Sequence, residues 1–191
     1  MGLSKKAMFG LSVFTLFGFS GIAYFILSFS ETVQYFDMFK YDNLFLSVPV
    51  GLAFGAVGAL AGILLLKLPQ LQETNTFYAK LFKGMELHWT DILFYSFCAG
   101  VGEEILFRGA LQPLLGLWWT AILFVILHGY IALSDLRKSI YGFFLIFVSA
   151  GFGYLTLYFD IYAAMAAHFI FDVIMFIKLK QDSKSIDDQN E

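Results

Sequence analysis

Six apolar runs, separated by short polar breaks, dominate the pattern along this chain. They cover residues 7–29, 43–68, 91–111, 116–133, 139–159 and 161–179. A helix that crosses a bilayer needs roughly 20 mainly apolar residues, so each run predicts one span. The first follows Lys5 and Lys6, as a signal peptide would, but it is longer than a signal h-region and no A-x-A-like site follows. It is read as a retained helix. The second contains Gly51, Gly55, Gly58 and Gly62, two small-xxx-small pairs suited to close helix packing, with Pro49 as a candidate kink. Residues 69–90 form a polar, mildly amphipathic connector expected at the membrane interface. The third run is expected to end at Pro113. The single residue between the fifth and sixth runs, Asp160, predicts a tight antiparallel hairpin.

Composition agrees with lipid as the solvent. Of the 191 residues, 59% are hydrophobic and 14% charged, against about 45–50% and about 25% in soluble domains. No basic stripe points to nucleic acid. The single Cys98 excludes an internal disulfide and a multi-cysteine metal site. The net charge of −3 matters less than where the charges fall. With the N-terminus in the cytoplasm, the inner side holds Lys5, Lys6, Lys67, Lys80, Lys83, Arg137, Lys138, Lys178, Lys180 and Lys184. The outer side holds Lys40, with Arg108 towards it. That bias places both termini in the cytoplasm. The expected fold is therefore an all-α, polytopic transmembrane helical bundle of about six spans. Residues 1–90 form two N-terminal spans and the connector, 91–180 a four-helix core that carries the active site, and 181–191 a disordered tail.

Ionisable groups inside apolar runs change the picture from membrane protein to candidate enzyme. Each costs about 2.5–3.5 kcal/mol at bilayer depth, so each needs a partner, a cavity or a task. The third run holds Glu103, Glu104 and Arg108, the fourth His128, and the sixth His168 and Asp172. Glu104 and Arg108 stand at i and i+4 with the acid first, the better order for a helical pair. Glu103 projects about 100° away and is left without a local partner, the position of a candidate general base. His168 and Asp172 also stand at i and i+4, so the carboxyl is placed to accept the imidazole N–H. Each feature has a structural alternative: a charge network joining helices, a packing histidine, a satisfied polar patch. Helical rise places Glu103, His128 and His168 between mid-membrane and the cytoplasmic half, at depths one cavity can share. His88 lies in the connector and reads as interfacial. Two chemistries remain open. Glu103, His128 and His168 can hold one Zn²⁺ with an open position for water, or Glu103 and His128 can activate water directly while other groups hold the oxyanion.

The order Glu-Glu-x-x-x-Arg, Phe-x-x-x-His, His-x-x-x-Asn/Asp on successive membrane helices resembles the CPBP family of CAAX proteases and bacteriocin-processing enzymes. Here the motifs are Glu103-Glu104 with Arg108, Phe124 with His128, and His168 with Asp172. The resemblance implies an intramembrane endopeptidase with Glu103 as general base and His128 as its partner. His168 and Asp172 would hold the oxyanion; Glu104 and Arg108 would be structural or substrate-orienting. It leaves the cofactor as none or one divalent metal. Where the eukaryotic prenyl enzymes have Asn, this chain has Asp172. The expected substrate is a membrane-associated or hydrophobic peptide or protein, and the expected location a bacterial cytoplasmic membrane. The alternative is a non-catalytic membrane scaffold or bacteriocin-immunity protein with the same fold.

Overall fold

The apolar runs become helices, and no strand forms among the described residues. The computed structural model describes residues 4–82, 84–131 and 136–188. Lys83, the expected end of the fourth span at Leu133, and residues 189–191 of the expected tail lie outside them. Helix α1 (Lys5–Ser28) is opened by Ser4, whose hydroxyl accepts the Ala7 N–H, one of the four donors a helix start leaves free. Helix α2 covers Leu44–Leu66 with Pro49 in its interior. A short 3₁₀ turn, Pro69–Leu71, leads into the connector helix α3, Gln72–Leu81. Then come α4 (Trp89–Glu104), a π-helical segment (Ile105–Leu111) and α5 (Gln112–Leu115) as one continuous run. Helices α6 (Leu117–Leu127), α7 (Leu136–Tyr158) and α8 (Ile161–Asp188) complete the bundle.

Among the described residues, four helices are long and apolar enough to cross a membrane: α1, α2, α7 and α8. Their outward faces remain apolar, with Phe17 and Phe45 exposed, as lipid contact requires. The protein is an integral membrane protein of the all-α class. The third expected span does not stop at Pro113. The ring sits at the start of α5, and the run continues until Gly116 turns the chain at φ +83. Pro113 lacks the N–H that an α-helix would send to Gly109, and its ring crowds that carbonyl. The wider π turn just before it relieves that crowding, with the Gln112 N–H reaching back five residues to Phe107. The fourth expected span is shorter than its apolar run. Helix α6 has 11 residues, about 16 Å of rise, well under a hydrocarbon core. A Schellman cap ends it: Gly129, at φ +72, sends its N–H to Ile126, and Tyr130 sends its own to Val125.

The expected tail also differs. Helix α8 runs on to Asp188, held past the bilayer run by Lys178, which bonds Asn75 of the connector and Asp182 one turn on. The hairpin between α7 and α8 is as tight as its spacing predicts. Asp160 caps α8 through the Ala163 N–H (3.0 Å) and accepts the Ser47 hydroxyl of α2 (2.6 Å).

Backbone-to-backbone contact fixes where α8 lies. A Cβ on Gly51 would strike the carbonyl oxygen of Ala163, and one on Gly55 that of Ala167. The second glycine pair meets side chains instead, Gly58 facing Phe171 and Gly62 facing Phe144. On the other side, Gly100 of α4 lies against the backbone of Phe169, and Gly102 against Thr15 of α1. Residues next to His168 and Glu103 are thus the points of closest approach. Gly55→Val is expected to lower stability by about 1–3 kcal/mol through overpacking. Gly21→Ala, with nothing within 4 Å of its added carbon, is expected to leave it unchanged or slightly raised. Thermal unfolding in detergent compares them; equal melting temperatures would contradict the α2–α8 contact.

Candidate active site

A guanidinium in an apolar bundle needs its donors met on every side, and Arg108 organises its neighbours accordingly. The side chain is 2% exposed. Its Nη1 donates to Glu104 Oε1 at 3.0 Å. Its Nη2 donates to the Ser149 carbonyl at 2.9 Å and the Ser149 hydroxyl at 2.8 Å, both on α7. The rings of Phe124 and Phe152 lie 4.9 and 5.5 Å from its central carbon, within cation–π range. Glu104 Oε1 accepts a second bond, from His168 Nδ1 at 2.7 Å. One carboxylate oxygen therefore ties the π segment to α8. Its other oxygen, Oε2, is buried without a hydrogen-bond partner.

The sequence expects Asp172 to take the His168 N–H, and the structure assigns that bond to Glu104. Asp172 Oδ2 lies 3.7 Å from the opposite nitrogen, Nε2. His128 has the same polarity as His168. As the C-cap of α6 it sets Nδ1 2.7 Å from the Phe124 carbonyl. A carbonyl only accepts, so Nδ1 carries the proton and Nε2 faces away from the helix. Both Nε2 atoms meet Glu103. Its Oε2 lies 3.3 Å from His128 Nε2 and 3.9 Å from His168 Nε2. That oxygen is buried, and nothing is aligned to hydrogen-bond with it. The 3.3 Å approach to His128 is an ion-pair contact without hydrogen-bond alignment. Glu103, His128, His168 and Asp172 thus come together from α4, the end of α6, and α8. Glu104 and Arg108 lie behind them as a support. His88 stands apart, exposed at the start of α4.

The cluster opens into a cavity of about 420 Å³. Phe124, Phe152, Phe171 and Phe176 line it, with Leu66, Leu81 and Leu179 towards the connector end. Its polar lining is the cluster itself, Ser149, and three tyrosines, Tyr78, Tyr130 and Tyr141. An apolar pocket with a few converging polar groups is the usual form of a binding site. The two Nε2 atoms and the carboxylates are donor types that suit Zn²⁺. Among the described residues, however, no three His, Cys, Asp or Glu side chains are arranged to hold a metal ion.

Sequence reasoning misses Ser149, Phe152 and Tyr130. Ser149 is one of several small polar residues in an apolar run, and only the fold brings it to Arg108. Tyr130 was detectable, because Gly129 just before it marks a helix end. Residues 85–174 match the model of a protein family described as type II CAAX prenyl endopeptidase Rce1-like. The matched stretch contains every residue of the cluster. No curated protein and no solved structure matches the chain.

Glu104→Gln removes the counter-charge of a buried cation and is expected to cost about 3–5 kcal/mol. Ser149→Ala leaves the carbonyl acceptor in place and is expected to cost about 1 kcal/mol. Unfolding of both variants in the same detergent checks the ranking. An equal or reversed order would mean that Arg108 is not held chiefly by Glu104.

Proposed function

We propose that this chain, whose residues 85–174 match the type II CAAX prenyl endopeptidase Rce1-like family, is an intramembrane endopeptidase that cleaves by water activation. The observation that carries the reading is Glu103 Oε2. It is a buried acceptor with no aligned partner, set between two imidazole nitrogens at the wall of a cavity. A water there bridges Glu103 Oε2 and His128 Nε2. Glu103 takes a proton from it as its oxygen attacks the substrate carbonyl carbon. The negative charge then grows on the carbonyl oxygen, on the side of His168 and Asp172. His168 Nδ1 is committed to Glu104, so donation from Nε2 requires the imidazolium. Carboxyl groups at 2.7, 3.7 and 3.9 Å surround that cation. The proton held by Glu103 passes to the leaving nitrogen as the C–N bond breaks. Glu104 and Arg108 hold the geometry without meeting the substrate.

In this mechanism the protein groups suffice, and no metal takes part in any step. The substrate is a hydrophobic or membrane-associated peptide, because the cavity walls beyond the cluster are aromatic and aliphatic. The Lys/Arg bias along the chain supports termini and a connector on the cytoplasmic side of the membrane.

Glu103→Gln keeps shape and removes the base. It is expected to lower cleavage by about 10²–10⁴-fold while the protein still accumulates. Membrane and secreted peptides from cells carrying either form identify the substrate as the species that builds up unprocessed. Full processing by the variant would leave the scaffold or immunity reading. A chelator is expected to leave the rate unchanged; loss restored by Zn²⁺ would replace the metal-free mechanism.

Asp172→Asn separates two roles for the last carboxyl. Glu104 already orients His168 through Nδ1, so Asp172 acts as a donor to the oxyanion, and Asn can replace it. The variant is expected to remain active. If Asp172 instead orients an imidazole as an ionised carboxylate, the loss approaches ~10⁴-fold. A folded variant without activity on the peptide found above would reject the donor role.

A further inference from the structure

The water-activating histidine has ring partners as well as hydrogen-bond partners, and one of them is a residue the mechanism does not use. His128 stacks on Phe124 at 4.3 Å between centroids, and the Tyr130 ring lies nearly parallel to it, 8° apart in plane at 6.0 Å. Tyr130 is built into place. The Schellman cap of α6 fixes its backbone through the Val125 carbonyl. On α7, Gly142 makes room for the Tyr130 carbonyl, where a Cβ would collide with it. Its ring packs on Tyr78 of α3 at 5.7 Å and on Tyr141 of α7 at 6.0 Å. Tyr78 and Tyr141 themselves lie 6.1 Å apart, so three rings from three segments form a closed triangle. All three line the cavity that holds the cluster.

His128 needs such support. Its side chain is 30% exposed, against 6% for His168. The hydrogen bond to the Phe124 carbonyl and the stack on the Phe124 ring both come from one residue a turn back on its own helix. A flat ring alongside restricts the swing of the imidazole by dispersion and shape. We propose that Tyr130 is a positioning residue, whose aromatic ring, braced by Tyr78 and Tyr141, holds the imidazole of His128 with Nε2 towards Glu103. The consequence for cleavage rests on the proposed water-activating role of Glu103 and His128. The consequence for the imidazole does not.

The test therefore reads the ring first. Imidazole nitrogen NMR on histidine-labelled protein in detergent resolves the three histidines, assigned with His88→Gln and His128→Gln. Wild type and Tyr130→Phe are expected to show one His128 tautomer, protonated at Nδ1. Tyr130→Leu, with similar bulk but no flat ring, is expected to show both tautomers, with the His168 signal unchanged as proof of folding. If the leucine variant does not fold, Tyr130→Met takes its place. An unaltered His128 signal in a folded leucine or methionine variant overturns the proposal, and so does a mixed signal in Tyr130→Phe.

The second reading is cleavage of the peptide that accumulates with Glu103→Gln. The leucine variant is expected to lose about tenfold in kcat, the scale of a misplaced catalytic group, with KM little changed and Tyr130→Phe restoring the rate. A loss confined to KM would assign Tyr130 to substrate binding and reject the positioning role. If no peptide is processed by wild type, the protease reading fails while the NMR result still decides the role of Tyr130.

Discussion

Burying a guanidinium in a bundle surrounded by lipid constrains this fold more than any other single requirement. An unpaired charge at that depth is costly, and Arg108 cannot lose its proton to escape. Its partners must therefore be present and correctly turned whenever the protein is folded. They come from three places: Glu104 on the same helical run, the Ser149 carbonyl and hydroxyl on α7, and the faces of Phe124 and Phe152. Meeting those demands brings the π segment, α6 and α7 together. Because Glu104 also accepts from His168, the same requirement reaches α8. The helices that carry Glu103, His128, His168 and Asp172 are aligned as a by-product of neutralising a cation that does not itself line the cavity.

Close packing does the rest. Apolar contact between helices gains little in lipid, so association relies on shape and on small residues that let backbones touch. Gly51 and Gly55 bring α2 onto the carbonyls of Ala163 and Ala167, and Gly100 brings α4 onto Phe169. These contacts bracket His168 in sequence. A side chain there would push α8 outward and lengthen the bond from His168 to Glu104. The glycines and the ion network thus specify one position of α8 by independent means, steric and electrostatic.

Charged residues in apolar runs stand out, which is why the cluster was legible residue by residue. The i and i+4 spacing revealed Glu104 with Arg108, a local pairing along one helical run. It failed for His168 and Asp172, because which carboxyl meets which nitrogen depends on how α8 is rotated against α4. Helix ends were harder to read. The apolar run through 116–133 hides the stop at His128, although Gly129 offers the signal, because hydropathy does not distinguish a helix from a cap. Pro113 read as a terminator, yet a widened turn absorbed it. Residues 181–188 read as unstructured from polarity alone; the bonds from Lys178 to Asn75 and Asp182 are tertiary and i,i+4 terms that composition does not contain.

The cluster also bears on whether this geometry serves cohesion or chemistry. A network that merely joins helices gains most when every buried donor and acceptor is satisfied, since an unmet polar group loses its hydration without return. Arg108 and Ser149 follow that rule. Glu103 Oε2 and Glu104 Oε2 do not, and Glu103 is the one that faces the cavity with two imidazole nitrogens beside it. Evolution towards cohesion alone has an inexpensive remedy, a glutamine or an apolar residue at position 103. A carboxylate held there, 3.3 Å from one imidazole nitrogen and 3.9 Å from the other without an aligned hydrogen bond, contributes less to cohesion than a satisfied one would. That asymmetry, a satisfied support behind an unsatisfied front, is the arrangement expected of a site built to act on water and a substrate.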